Sequence, residues 1–224
     1  MIPGVLFAIA HCCLPPAAHG QSVDSARTVG AAASPTPFRE TRLRWRSLSV
    51  VAGVVGGLAV HESGHVITSL LFDARPHLRG VAFHGIPFFA VAHRSGLPRR
   101  CEFIISSAGF WMQHAASEGI LSAHPRLWRD GRWLETGVVA FGIATSTAYA
   151  GAAWARTGPA ERDTRGMAVA LGVTEPVIGS IVLVPALLDA YRVLHPGAKR
   201  STWASRAVKL GLMLLPFVIA PSPR

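Results

Sequence analysis

From Leu48 to about Phe72 the chain runs without a single Lys or Arg, and its one acidic residue is Glu62. A stretch of this length and apolarity matches the roughly 20 residues needed to cross a bilayer as a helix. Inside it lies His61-Glu62-Ser63-Gly64-His65. Two imidazoles and a carboxylate in an apolar helix are costly unless paired or ligated, so they mark a functional position. Four residues apart on a helix, His61 and His65 project from one face, as two ligands of a tetrahedral zinc must. Glu62 falls beside them, where a carboxylate can take a proton from water acidified by a metal and deliver it to a leaving group. With this chain's His and Glu usage the pattern arises by chance in about one of seventy such sequences, so its setting carries much of the weight. The competing reading is that His61 and His65 bridge neighbouring helices by hydrogen bonds alone.

Composition agrees with a membrane setting. Half of the 224 residues are hydrophobic, 15% are charged, and the mean hydropathy is +0.35. That is too apolar for an ordinary soluble domain and fits a small polytopic helical protein. The net charge of +10 sits in short Arg clusters between apolar segments. These are read as contacts to anionic lipid headgroups and as topology signals, and nucleic acid is not expected as a partner. Cys12, Cys13 and Cys101 have neither zinc-ribbon nor disulfide-framework spacing.

Residues 1–20 hold an apolar core, Val5 to Ala10, and end in Ala18-His19-Gly20, but no Lys or Arg precedes that core. A cleaved signal peptide, a poor anchor and an over-long translation start all remain open. Residues 21–46 read as a Ser-, Ala-, Pro- and Thr-rich linker ending in a basic collar, Arg39, Arg42, Arg44 and Arg46, with the membrane-embedded domain spanning 47–224. The collar favours a cytoplasmic start for the first span, and the expected location is the bacterial inner membrane.

The fold expected is all-α: a membrane bundle of about four to five spanning helices, with a short hairpin or re-entrant loop after the first. Gly53, Gly57, His61 and His65 recur every four residues, so a close-packing face continues into the histidine face. Between Gly80 and Val91, aromatic and β-branched residues around His84-Gly85 suggest the hairpin, with Pro87 confining its second arm to an edge. His77, His84 and His93 read as surface residues of that region. Further spans are expected over Glu102–Ala123, Leu134–Ala155 and Val177–Leu194, the last bent at Pro185; Ala207–Ala220 is short for a span. Thr157 to Gly166 reads as a solvated connection. Glu118 is either a metal ligand or an interfacial carboxylate facing Arg126 or Arg129, and Asp189 is either functional or paired with Arg192.

Taken in order, His61-Glu62-Ser63-Gly64-His65, a hairpin-like stretch, Ser107-Ala108-Gly109 with Gln113 a turn later, and Pro185 to Asp189 resemble the site-2 protease family of intramembrane zinc metalloproteases. The resemblance covers about Leu48 to Leu194. Phe110 stands where that family has Pro, Ala190 where it has Gly, and the helix at Leu134–Ala155 is additional. It implies that His61, His65 and Asp189 ligate zinc, that Glu62 is the general base, and that the hairpin near His84 holds an extended segment of a membrane-protein or peptide substrate by edge pairing. Two other classes stay in view. A di-iron membrane enzyme would need further His pairs, and a non-catalytic scaffold would use the motif structurally.

Overall fold

The computed structural model describes residues 37–83 and 86–218. The signal-peptide reading of 1–20, most of the linker and His84 at the hairpin turn lie outside the described residues. Among those described, six helices and one antiparallel hairpin follow in order: α1 (Pro37–Leu71), β1 (His77–Phe83), β2 (Ile86–Ala92), α2 (Arg99–Ala123), α3 (Trp133–Ala155), α4 (Asp163–Leu171), α5 (Glu175–Leu194) and α6 (Lys199–Val218). Residues Ser47–Arg224 form one compact unit.

Among the described residues, three helices are long and apolar enough to cross a membrane: Leu43–Leu71 within α1, all of α3, and all of α5. Val51, Val55, Leu70 and Leu71 on α1, Leu187 and Leu194 on α5, and Leu210, Leu214 and Phe217 on α6 are exposed. An apolar outer surface of this kind is what a lipid-facing bundle presents. The span expected at Glu102–Ala123 is a helix, α2, but it is not among those three. Its hydrophobic run is broken by Arg99, Arg100, Glu102, Gln113, His114 and Glu118, and it is instead extensively buried, from Phe103 to Leu121.

Missing side chains let the helices meet. A Cβ on Gly53 would strike the Leu134 carbonyl oxygen and come within 2.8 Å of the Gly137 Cα, and one on Gly57 would come within 2.8 Å of the Phe141 ring. The stripe seen in the sequence therefore seats α1 against α3, as small residues do in membrane helix pairs. Gly64 does the same against Ala108 of α2, and Gly179 of α5 against Ala150 and Ala153 of α3. The apolar core gathers Phe103, Phe110, Met167, Ile178 and Val182 from α2, α4 and α5.

The hairpin pairs His77 with Ala92 through Phe83 with Ile86, leaving both strands as edges of a two-stranded sheet. At its ends His77 Nδ1 lies 3.2 Å from the Arg75 carbonyl oxygen and His93 Nε2 3.1 Å from the Glu102 carboxylate. Helix α5 continues without a break through Pro185, which is buried. The charged stretch before Gly166 is not a simple solvated loop. It turns into α4 at Asp163, whose side chain is only 14% exposed.

Candidate metal centre

His61 and His65 do share one face of α1, and both are buried. Each ring is held by its Nδ1. That of His65 lies 2.8 Å from the carbonyl oxygen of Ile105, which can only accept, so this nitrogen carries the proton. That of His61 lies 2.9 Å from Oε1 of Gln113. The Gln113 amide is oriented by its other end, where Nε2 donates to Ser146 Oγ at 2.8 Å and to the Gly142 carbonyl oxygen at 3.4 Å. Only an NH2 group can face that carbonyl, so Oε1 faces His61 and His61 also donates through Nδ1.

In the neutral imidazoles this turns both Nε2 lone pairs inward, and the two atoms converge, 3.3 Å apart. The third member of the cluster is Asp163, whose Oδ2 lies 3.2 Å from His61 Nε2 and 3.4 Å from His65 Nε2. Three acceptor atoms this close repel one another unless a proton or a cation lies between them. A tetrahedron with edges of this length has its centre about 2.0 Å from each corner, the length of zinc bonds to nitrogen and oxygen. Gly109 of α2 keeps the space beside them open, since a Cβ there would fall 2.5 Å from both Nε2 atoms. The donor set, its spacing and this opening fit a zinc ion, and the two Nδ1 contacts are the outer-shell supports that metal-bound imidazoles use.

Asp163 opens α4, and its neighbours are anchored to α5. Arg162 grips both carboxylate oxygens of Glu175, and Thr164 Oγ1 donates to the same carboxylate at 2.7 Å. Burial acts to raise the Asp163 carboxyl, but the charge and hydrogen bonds of His65 and His61 outweigh it and hold the group well below the usual carboxylate range. Tyr149 of α3 packs beside the cluster, its ring 6.3 Å from that of His61.

Glu62 is half-buried at the edge of the cluster, close enough to interact electrostatically with His61, His65 and Asp163. Among the described residues it makes no hydrogen bond or ion pair, unlike the other carboxylates near the bundle interior. Its acceptor capacity is free.

Asp189 is not brought to the histidines. It is buried against Lys209 Nζ at 2.7 Å and Ser205 Oγ at 3.0 Å, with Arg192 at 3.6 Å. Glu118 sits in the same network, bonded to Arg192, Arg206 and Lys209 and not to Arg126 or Arg129. Both expected carboxylate ligands are thus engaged by cations, which a carboxylate binding a metal could not afford. Asp163 takes the place beside the histidines. Its sequence signal was faint: one of two acids, with Glu161, in an Arg-rich turn, with no fixed spacing to the motif.

Comparison with protein-family models finds no match, and comparisons with curated proteins and with solved structures find none either.

Proposed function

We propose that the protein is an intramembrane zinc metallopeptidase-like hydrolase, with His61, His65 and Asp163 as the metal ligands and Glu62 as general base. The observation that carries this reading is the convergence of His61 Nε2, His65 Nε2 and Asp163 Oδ2 at 3.2 to 3.4 Å from one another. Zinc held there supplies a Lewis acid that polarises a scissile carbonyl and acidifies water. Glu62, uncommitted and adjacent, accepts the proton of the attacking water and passes it to the leaving amine. Gln113 and Ile105 keep both imidazoles in the tautomer that offers Nε2.

The resemblance to site-2 proteases supports the reaction class through the His61 to His65 motif, and the apolar helices support a place in the membrane, here the bacterial inner membrane. The number of spans, four to five, belongs to the same proposal. The ligand set departs from that family, since the third ligand precedes α5 and does not lie on it. An amide inside a helix is enclosed and resists attack, so the substrate must be extended when cut. The free edges of β1 and β2 suit such a segment, paired as a third strand.

The test is zinc content per chain in detergent-purified protein, followed by turnover of a pool of synthetic single-span peptides. Wild type, Glu62→Gln and Asp189→Asn are expected to hold about one zinc, and His65→Ala and Asp163→Asn to lose it. Only wild type and Asp189→Asn should hydrolyse peptide. Zinc retained in Asp163→Asn but lost in Asp189→Asn would overturn the ligand assignment. A wild type without zinc after reconstitution would favour the scaffold reading, and turnover by Glu62→Gln would remove Glu62 as the base.

A further inference from the structure

Away from the histidines, the ends of α2, α5 and α6 enclose a cleft of about 160 Å³. Its polar lining is Ser122, Arg192, His195, Thr202 and Arg206. The volume is many times the roughly 10–15 Å³ that admits one water. Behind this lining lies the network that holds Asp189 and Glu118. Three cations, Arg192, Arg206 and Lys209, face those two carboxylates, leaving one positive charge in excess. The Arg192 and Lys209 side chains are each only 5% exposed. The third cation, Arg206, has a side chain 42% exposed, so the charge in excess opens to the cleft, where an anion would balance it.

The donors point the same way. Arg206 uses Nε on Glu118 at 2.8 Å and Nη2 on Ser122 at 2.9 Å, while Nη1 has no partner among the described residues. Arg192 spends Nη1 and Nη2 on Glu118 but leaves Nε without one. Planar guanidinium groups with donors to spare, lining one cleft, match the oxygens of a phosphate group.

The position indicates where that phosphate comes from. The cleft lies where α5, one of the apolar helices, ends at Leu194 and where α6 begins with Lys199 and Arg200. Trp203 is 70% exposed beside it, with the Arg206 guanidinium 5.7 Å from its ring, and Tyr191 is exposed on α5. Exposed Trp and Tyr flanking an apolar helix end mark the headgroup level of a bilayer, and basic pockets between helices at that level take lipid phosphates. We propose that this cleft binds a phosphate group, supplied by the headgroup of an anionic phospholipid. The inference does not depend on the metal centre.

The experiment is thermal unfolding of the detergent-purified full chain with dioleoylphosphatidylglycerol, dioleoylphosphatidylcholine or inorganic phosphate added. Phosphatidylglycerol is expected to raise Tm by several degrees and phosphatidylcholine not to. Arg206→Gln should raise the half-saturating lipid concentration about tenfold, the loss of one charge-assisted pair. Arg156→Gln, at the far end of α3, should leave it unchanged, and Arg206→Lys should be intermediate. Should Arg206→Gln fail to fold, Thr202→Val, which removes a hydroxyl from the cleft wall, takes its place with an expected loss in the same direction. An Arg206-dependent response to inorganic phosphate as well would keep the phosphate site but remove the lipid as its required source. Equal responses to the two lipids, or equal behaviour of Arg206→Gln and Arg156→Gln, would overturn the proposal.

Discussion

Gly109 offers the sharpest test of the metal centre, because its substitution touches the ion's space without removing a ligand. In Gly109→Ala the new methyl would lie 2.5 Å from Nε2 of both His61 and His65. Ordinary contact is about 3.5 Å, so each ring is overlapped by about 1 Å. Neither ring can swing away freely, because Gln113 and Ile105 hold the opposite nitrogens at 2.9 and 2.8 Å. Overpacking of this kind costs about 1–3 kcal/mol in the fold, which corresponds to a Tm drop of about 2–12 °C for a chain of this size. The metal loses more. Displaced outer-shell groups alone weaken zinc by about 10–100-fold, and here the ligating atoms themselves are pushed, so a loss of at least about 100-fold, or 2.7 kcal/mol, is expected. Competition with a chromophoric zinc chelator measures the affinity, and unfolding of the metal-free protein measures the fold. Gly119→Ala on the same helix is the control, since a Cβ there meets nothing within 4 Å. Wild-type zinc affinity in Gly109→Ala, in a protein that folds, would refute the placement of the ion beside the two Nε2 atoms.

Two further outcomes follow from the same geometry. Gln113→Leu leaves the buried Nδ1–H of His61 without an acceptor and should lower zinc affinity by about 10–100-fold in the chelator assay, with an apo-protein cost of about 1–3 kcal/mol; an unchanged affinity would mean that Gln113 does not orient the ring. Gly53→Val drives a branched side chain into the backbone of α3 at Leu134 and Gly137, and should lower Tm well beyond the effect of Gly151→Val, whose Cβ meets nothing within 4 Å.

The hairpin was legible in the run of β-branched and aromatic residues near His84, and the helical bundle in the long apolar segments, because both follow from local periodicity and transfer energies. The glycine stripe was legible too: spacing by four is enough to put Gly53, Gly57 and the two histidines on one face. Span counting was harder. The segment at Glu102–Ala123 was expected to span, whereas α2 is a helix enclosed by its neighbours and its polar residues are buried among them, so hydropathy alone does not separate the two cases.

For the candidate site, sequence alone determined the motif: His61 and His65 are four apart on a helix, and Glu62 lies next to the first, whatever the rest of the chain does. It could not determine which carboxylate meets them. Arg192 was visible as a neighbour of Asp189, but the closest cationic partners of Asp189 and Glu118 are distant in sequence. Lys209 lies 20 residues from Asp189, and Arg192 lies 74 from Glu118. Asp163 looked like a loop acid because the residues that pin it, Arg162 and Thr164 against Glu175, act only once α4 packs on α5. Charge pairing in a low-dielectric interior is decided by which groups the packing brings within about 4 Å, and that distance is a property of the tertiary structure.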